Sequence, residues 1–243
     1  MKTASDEETL AIERYLGIPA DHVFFLDNVP SIPKQEFLYP EKRAGEAKLI
    51  FLSRIHPKKN LLQAIKCLKN ISGAITFDIY GSLEDKAYWE LCQNEIKELP
   101  VNVTVNYCGL VTHDDVHRTF SNYDAFLFPT FSENYGHVII EALVTGCPVI
   151  ISDKTPWNDL EAAGAGWVCQ LEDIPAFGKA VQMIVDSSDH TYRKHAKEYA
   201  MNCLDVKKIK SYFRPERYSM TMPEEEYFCP NGPFEHINEK RVS

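Results

Sequence analysis

From Lys48 to about Ala200, short apolar runs take turns with helical patterns, and that alternation constrains the fold more than any other feature of the chain. The runs at 48–52, 74–80, 102–106, 124–128, 147–151 and 166–169 read as strands. Helices are predicted over 60–70, 85–98, 113–121, 136–145, 156–163, 173–186 and 189–200. Strands that alternate with helices of this length pair in parallel, through βαβ crossovers. The expected fold is therefore α/β, a doubly wound parallel sheet of about six strands. Gly81, Gly109 and Gly146 punctuate the element ends. The first two each follow a strand-like run, which places them at the carboxyl edge of the sheet.

The ends of the chain read differently. Residues 5–16 have a helical pattern and Val23 to Leu26 a short strand. A Pro-rich linker follows at Asn28 to Lys34. Beyond about residue 210, Arg214-Pro215, Met222-Pro223, the acidic run Glu224 to Glu226 and Pro230-Asn231-Gly232-Pro233 break any regular element. The expected organisation is a leading segment over 1–47, a ligand-binding domain over 48–210 and an irregular tail over 211–243.

Composition narrows the partners. A net charge of −9 and a pI near 5.4 argue against nucleic acid or an anionic membrane surface as the main partner. Seven scattered cysteines contain no C-x-x-C pair, so neither a zinc site nor a redox motif is indicated. A reducing cytoplasm is the expected setting. The polar, acidic start does not read as a signal peptide, and no apolar run is long enough for a transmembrane segment.

Two loops carry the chemistry. After the strand at 124–128, Glu133 and Glu141 stand eight residues apart, the second inside the apolar run Val138-Ile139-Ile140-Glu141-Ala142-Leu143. Between them Asn134, Tyr135, Gly136, His137 and Val138 lead into a helix. The first N–H groups of a helix lack internal partners, and the dipole adds positive charge there, so such an end holds phosphate well. Glycine at 136 lets backbone approach a ligand closely. A carboxylate in an apolar run needs a partner, and vicinal hydroxyls would satisfy Glu141. After the strand at 48–52, Arg54 and Lys59 lie in a strand-to-helix loop, the place where open α/β sheets bind ligands. They supply two cations for one diphosphate. The plain alternatives are surface acids beside a helix and a solvated basic loop. His56 and His137 read first as loop and helix-start residues with local partners, and Trp157 as a core residue near the site.

Together these residues resemble the donor-binding C-terminal domain of retaining GT-B glycosyltransferases, the glycosyl transferases group 1 family. The resemblance covers about residues 20 to 210. Glu133 and Glu141 match its E-x7-E motif, and Arg54 with Lys59 its paired diphosphate ligands. Gly81-Ser82 fits its strand-end turn, Gly109-Leu110-Val111 the segment flanking the base, and Ala142 to Ile150 its helix–Gly–Pro–strand continuation. The resemblance implies one Rossmann-like half of a GT-B fold, a nucleotide-diphosphate sugar as donor substrate, no cofactor and no metal. By it, Glu141 accepts from the ribose hydroxyls, and Glu133 with the backbone of Asn134 to His137 holds the transferred sugar. Arg54 and Lys59 neutralise the diphosphate leaving group. The acceptor domain of such an enzyme has no room in this chain, so residues 5–34 read as its last fragment plus the linker. Alone, the chain is expected to bind donor and transfer sugar poorly, with an N-terminal acceptor domain or partner subunit completing it. In the full enzyme it would lie in the cytoplasm, peripheral to the inner membrane. A nucleotide-sugar-binding regulatory or partner subunit is the alternative. A Rossmann-type dehydrogenase is disfavoured, because Ser53-Arg54-Ile55-His56 stands where G-x-G-x-x-G would.

Overall fold

The structure is a computed structural model that describes residues 2–3, 14, 24–25, 32–33 and 35–204. Strands β1 (Lys2–Thr3) and β2 (Phe24–Phe25) pair in parallel, so the short strand expected at Val23 to Leu26 forms. The expected helix over 5–16 (Arg14 aside), the linker over 28–34 (Ile32 and Pro33 aside) and the tail over 211–243 lie outside the described residues.

The main sheet has six parallel strands: β3 (Glu46–Leu52), β4 (Ala74–Tyr80), β5 (Val103–Gly109), β6 (Ala125–Phe128), β7 (Val149–Ser152) and β8 (Gly166–Cys169). Their order is β5-β4-β3-β6-β7-β8. Apolar runs such as Ala125-Phe126-Leu127-Phe128 and Val149-Ile150-Ile151 are buried on both faces, as strands of a doubly wound sheet must be. Chain order reverses between β3 and β6. Those two strands pair only at Leu49↔Ala125 and Ile50↔Phe126, whereas β3 and β4 pair from Glu46↔Ala74 to Leu52↔Tyr80. The carboxyl ends of β3 and β6 are thus the switch point of the topology, where doubly wound sheets form their ligand crevice.

The helices are α1 (Leu61–Lys66), α2 (Lys86–Lys97), α3 (Val116–Ser121), α4 (His137–Val144), α5 (Ile174–Asp186) and α6 (Thr191–Cys203). Two groups form: α1 packs on α2 and α5, and α4 lies against α3 and α6. The helix expected over 60–70 is shorter, and that over 113–121 starts with a 3-10 turn at His113–Asp115. The helix expected over 156–163 does not form. That segment is a series of turns, with bonds from Ala163 N to Leu160 O and from Gly164 N to Glu161 O. Within it only Trp157 and Leu160 are buried, too narrow an apolar stripe to hold a helix against the core.

A chain of aromatic rings runs under the crevice. Phe126 and Phe128 stack at 5.0 Å, with Phe120 and Phe51 at 5.2 and 5.8 Å from them, all fully buried. At the opposite edge, Arg193 of α6 is 3% exposed. Its guanidinium donates to the Tyr123 carbonyl at 2.5 Å, lies 3.5 Å from Asp124 and stacks on the Tyr39 ring at 4.6 Å. Asp124 also accepts from the Lys48 N–H at 2.8 Å, so one carboxylate ties the starts of β3 and β6 to α6.

Candidate donor site

Lys59 reaches the switch point because of an unusual turn. His56 caps a 3-10 turn at Pro57–Lys59, its Nδ1 accepting from Lys58 N at 3.1 Å. This is the local partner expected for that histidine. Asn60 then adopts a left-handed conformation (φ 58°), which asparagine tolerates better than most residues. It ends the turn and starts α1, leaving Lys59 directed at β6.

From β6, Thr130 to Gly136 form the facing loop. Phe131 N donates to Lys58 O at 2.9 Å, which joins the two loops across the crevice. The Lys59 ammonium pairs with Glu133, and these side chains are only 12% and 13% exposed. The ammonium also lies 5.6 Å from the centre of the Phe128 ring, at the top of the aromatic core. Thr130 Oγ1 lies 3.4 Å from the Glu133 carboxylate. Lys59 and Glu133 are thus brought together. Arg54 is not brought to that pair: its guanidinium bonds Glu84 of the β4 loop at 3.1 Å and is 59% exposed.

Gly136 caps α4 in the left-handed region (φ 80°). A Cβ there would lie 2.9 Å from Ile139 Cδ1, so the position suits glycine on two counts. Beyond it Ile139, Ile140, Ala142 and Leu143 are fully buried and seat the helix. Glu141 is half-buried on the same helix. Its carboxylate accepts no hydrogen bond from the described residues, and burial raises its pKa, with His113 pulling the other way. Asn134 and His137 are exposed, and the His137 ring lies 4.9 Å from that of Tyr135. Val138 packs partly on the core.

The neighbouring strand ends complete the edge. Ser53 N bonds Tyr80 O, Ile55 N bonds Ser82 O, and Gly81 N bonds Gly109 O, all within 3.0 Å. Leu110 is 75% exposed, while Val111 packs partly on the core. Three participants were not singled out by the sequence: Glu84, which engages Arg54, Thr130 beneath Glu133, and His113 near Glu141. None belongs to a spacing pattern, so only the folded loops reveal them.

The model of the family described as "Glycosyl transferases group 1" matches residues 34–202. The chain belongs to that family. Among its relatives, the O-antigen chain mannosyltransferase B of Escherichia coli is 26% identical over 201 residues, 76% of this chain and 51% of that protein. The poly(glycerol-phosphate) alpha-glucosyltransferase of Bacillus subtilis is 29% identical over 59% of this chain and 21% of its own length. The chain thus spans about half or less of these glycosyltransferases. Its fold is also that of solved structures. Anabaena HepE, solved with UDP and glucose, superposes with a TM-score of 0.66 at 16% identity over 87% of this chain and 61% of that one. TarM superposes at 0.65, with 19% identity, 87% and 42%. The six-stranded sheet has the Rossmann-like architecture of one half of a GT-B fold.

Proposed function

We propose that this chain is the donor-binding half of a retaining glycosyltransferase that works without a metal ion. The observation that carries the reading is the Lys59–Glu133 pair, set at the switch-point crevice beside the amino end of α4. The positive end of the helix and the Lys59 ammonium suit a diphosphate, while Glu133 and Glu141 suit hydroxyls on either side of it.

On this reading the donor diphosphate draws Lys59 away from Glu133. Glu133, with the backbone of Asn134 to His137, then takes the hydroxyls of the transferred sugar. Glu141 takes the ribose, and Leu110 and Val111 flank the base. Arg54 swings from Glu84 to the diphosphate. The bond between the anomeric carbon and the phosphate oxygen breaks, and the electron pair leaves with the nucleoside diphosphate. The acceptor hydroxyl oxygen bonds that carbon on the face the diphosphate leaves, and its proton passes to the departing phosphate. Lys59 and Arg54 lower the barrier by neutralising charge as it develops on the leaving group. Residues 1–47 belong to the acceptor side and linker, 48–210 to donor binding and 211–243 to a tail. The acceptor comes from an N-terminal domain or partner subunit, which also closes the cleft against water. Cys67, Cys92, Cys108, Cys147 and Cys169 are free thiols, which suits cytoplasmic work, peripheral to the inner membrane.

Calorimetric titration of the chain with UDP, GDP, ADP and their sugars tests the reading. One nucleotide should bind, and Lys59→Ala should weaken it about tenfold or more, the loss of a charged hydrogen bond. Binding by none of them refutes the assignment. Efficient transfer to an acceptor by this chain alone refutes its incompleteness.

A further inference from the structure

The donor turn is splinted by the end of β7 and the loop that follows it. Three hydrogen bonds join them at successive points. Ser152 Oγ donates to Thr130 O at 2.5 Å, Glu133 N donates to Lys154 O at 3.2 Å, and Trp157 Nε1 donates to Tyr135 O at 2.6 Å. The third falls on the peptide that enters Gly136.

That peptide is trans and planar, so its C=O and N–H point in opposite directions. Holding the Tyr135 carbonyl against the indole therefore turns the Gly136 N–H away from Trp157. Among the described residues this N–H has no acceptor. It stands one residue ahead of α4, where an anion is favoured.

Trp157 is itself held. It is 7% exposed, and its ring meets the edge of Tyr135 at 5.6 Å and Tyr199 at 6.3 Å. Tyr199, on α6, is anchored through its hydroxyl to Asp159 of the same β7 loop. The backbone N–H of Trp157 lies 3.4 Å from Thr155 Oγ1. A side chain fixed on three sides, with its one polar atom spent on a turn carbonyl, does more than fill space.

We infer that Trp157 is a positioning residue for the donor diphosphate: its indole N–H sets the Tyr135–Gly136 peptide so that the Gly136 N–H meets a phosphate oxygen. The inference rests on the donor-site reading above and adds the part that orients its anion-binding backbone. Without the indole donor the peptide loses a hydrogen bond that fixes its orientation, and the part-buried Tyr135 carbonyl competes for other donors. Ribose contacts through Glu141 do not depend on that peptide.

Trp157→Phe keeps a ring and removes the donor. Calorimetry with the nucleoside diphosphate that wild type binds, and an NMR titration with the matching nucleoside, separate the effects. The diphosphate should bind at least about fivefold more weakly, while nucleoside affinity stays within about twofold. Equal diphosphate affinity, or parallel loss of both ligands, overturns the positioning role. A wild-type chain that binds no nucleoside diphosphate overturns the donor-site reading itself. If Trp157→Phe fails to fold, benzothienylalanine at 157 has the indole shape without the N–H, and the same pair of titrations decides.

Discussion

Removing Lys59 from the Lys59–Glu133 pair should cost far more than removing both partners. With the side chains 12% and 13% exposed, water screens the pair only in part. Breaking a fully buried pair costs about 3–5 kcal/mol, and the residual exposure lowers that to about 2–3 kcal/mol for Lys59→Met. That variant leaves the Glu133 carboxylate without its cation, with Thr130 Oγ1 at 3.4 Å as its neighbour. Glu133→Gln should cost less, about 1 kcal/mol, because the flexible lysine stem can carry its charge outward. The double variant should lie within about 1 kcal/mol of wild type, giving a coupling of about 2 kcal/mol or more. For a domain of this size, each kcal/mol moves the melting temperature by about 2–4 °C. Lys59→Met alone should therefore melt about 5–10 °C lower. Urea denaturation of the four proteins measures the cycle. Additive single effects, with coupling below about 0.5 kcal/mol, would refute the claim that the pair is desolvated and mutually dependent.

Burial raises the Glu141 pKa, so the folded chain holds that proton more tightly than the unfolded one. Its contribution to stability is full below the ordinary carboxylate range and is lost as pH rises through the raised value. Glu141→Gln should remove this pH dependence and melt above wild type at neutral pH, yet bind nucleotide more weakly; thermal scans across pH and calorimetry check both halves. Arg54→Ala loses an exposed pair with Glu84 and should shift stability by no more than about 1 kcal/mol, while weakening diphosphate binding; unchanged affinity would remove Arg54 from the site. A Cβ at Gly81 would lie 1.8 Å from the Ser53 carbonyl oxygen. Gly81→Ala should therefore part the ends of β3 and β4 and cost more than about 4 kcal/mol, visible as loss of soluble, folded protein.

The strands were legible because a parallel sheet covered on both faces writes itself as unbroken apolar runs, and Phe126 to Phe128 or Val149 to Ile151 have no other stable home. The helix at 136–145 was legible from Gly136 and the buried run behind it. The segment 156–163 was misread because Ala162, Ala163 and Leu160 favour helix locally, and nothing in the chain shows that only two residues reach the core. Lys59 facing Glu133 follows from β3 and β6 being neighbours, an order the structure supplies; the resemblance placed both residues at one donor site. The Arg54–Glu84 pair does not follow, since it depends on how two exposed loops meet. The expectation for Trp157, core packing near the site, is half the story. Its bond to the Tyr135 carbonyl could not be read, because a backbone acceptor leaves no mark in the side-chain alphabet.

Arg193 has a consequence for how the chain is made. It is the cation for Asp124, yet it emerges from the ribosome some seventy residues later. Until then Asp124 has only the Lys48 N–H and the Lys42 ammonium to answer its charge, at the seam between the two halves of the sheet. The halves can collapse early, but they lock only when α6 arrives, so a ribosome stalled before residue 193 should present a protease-sensitive intermediate.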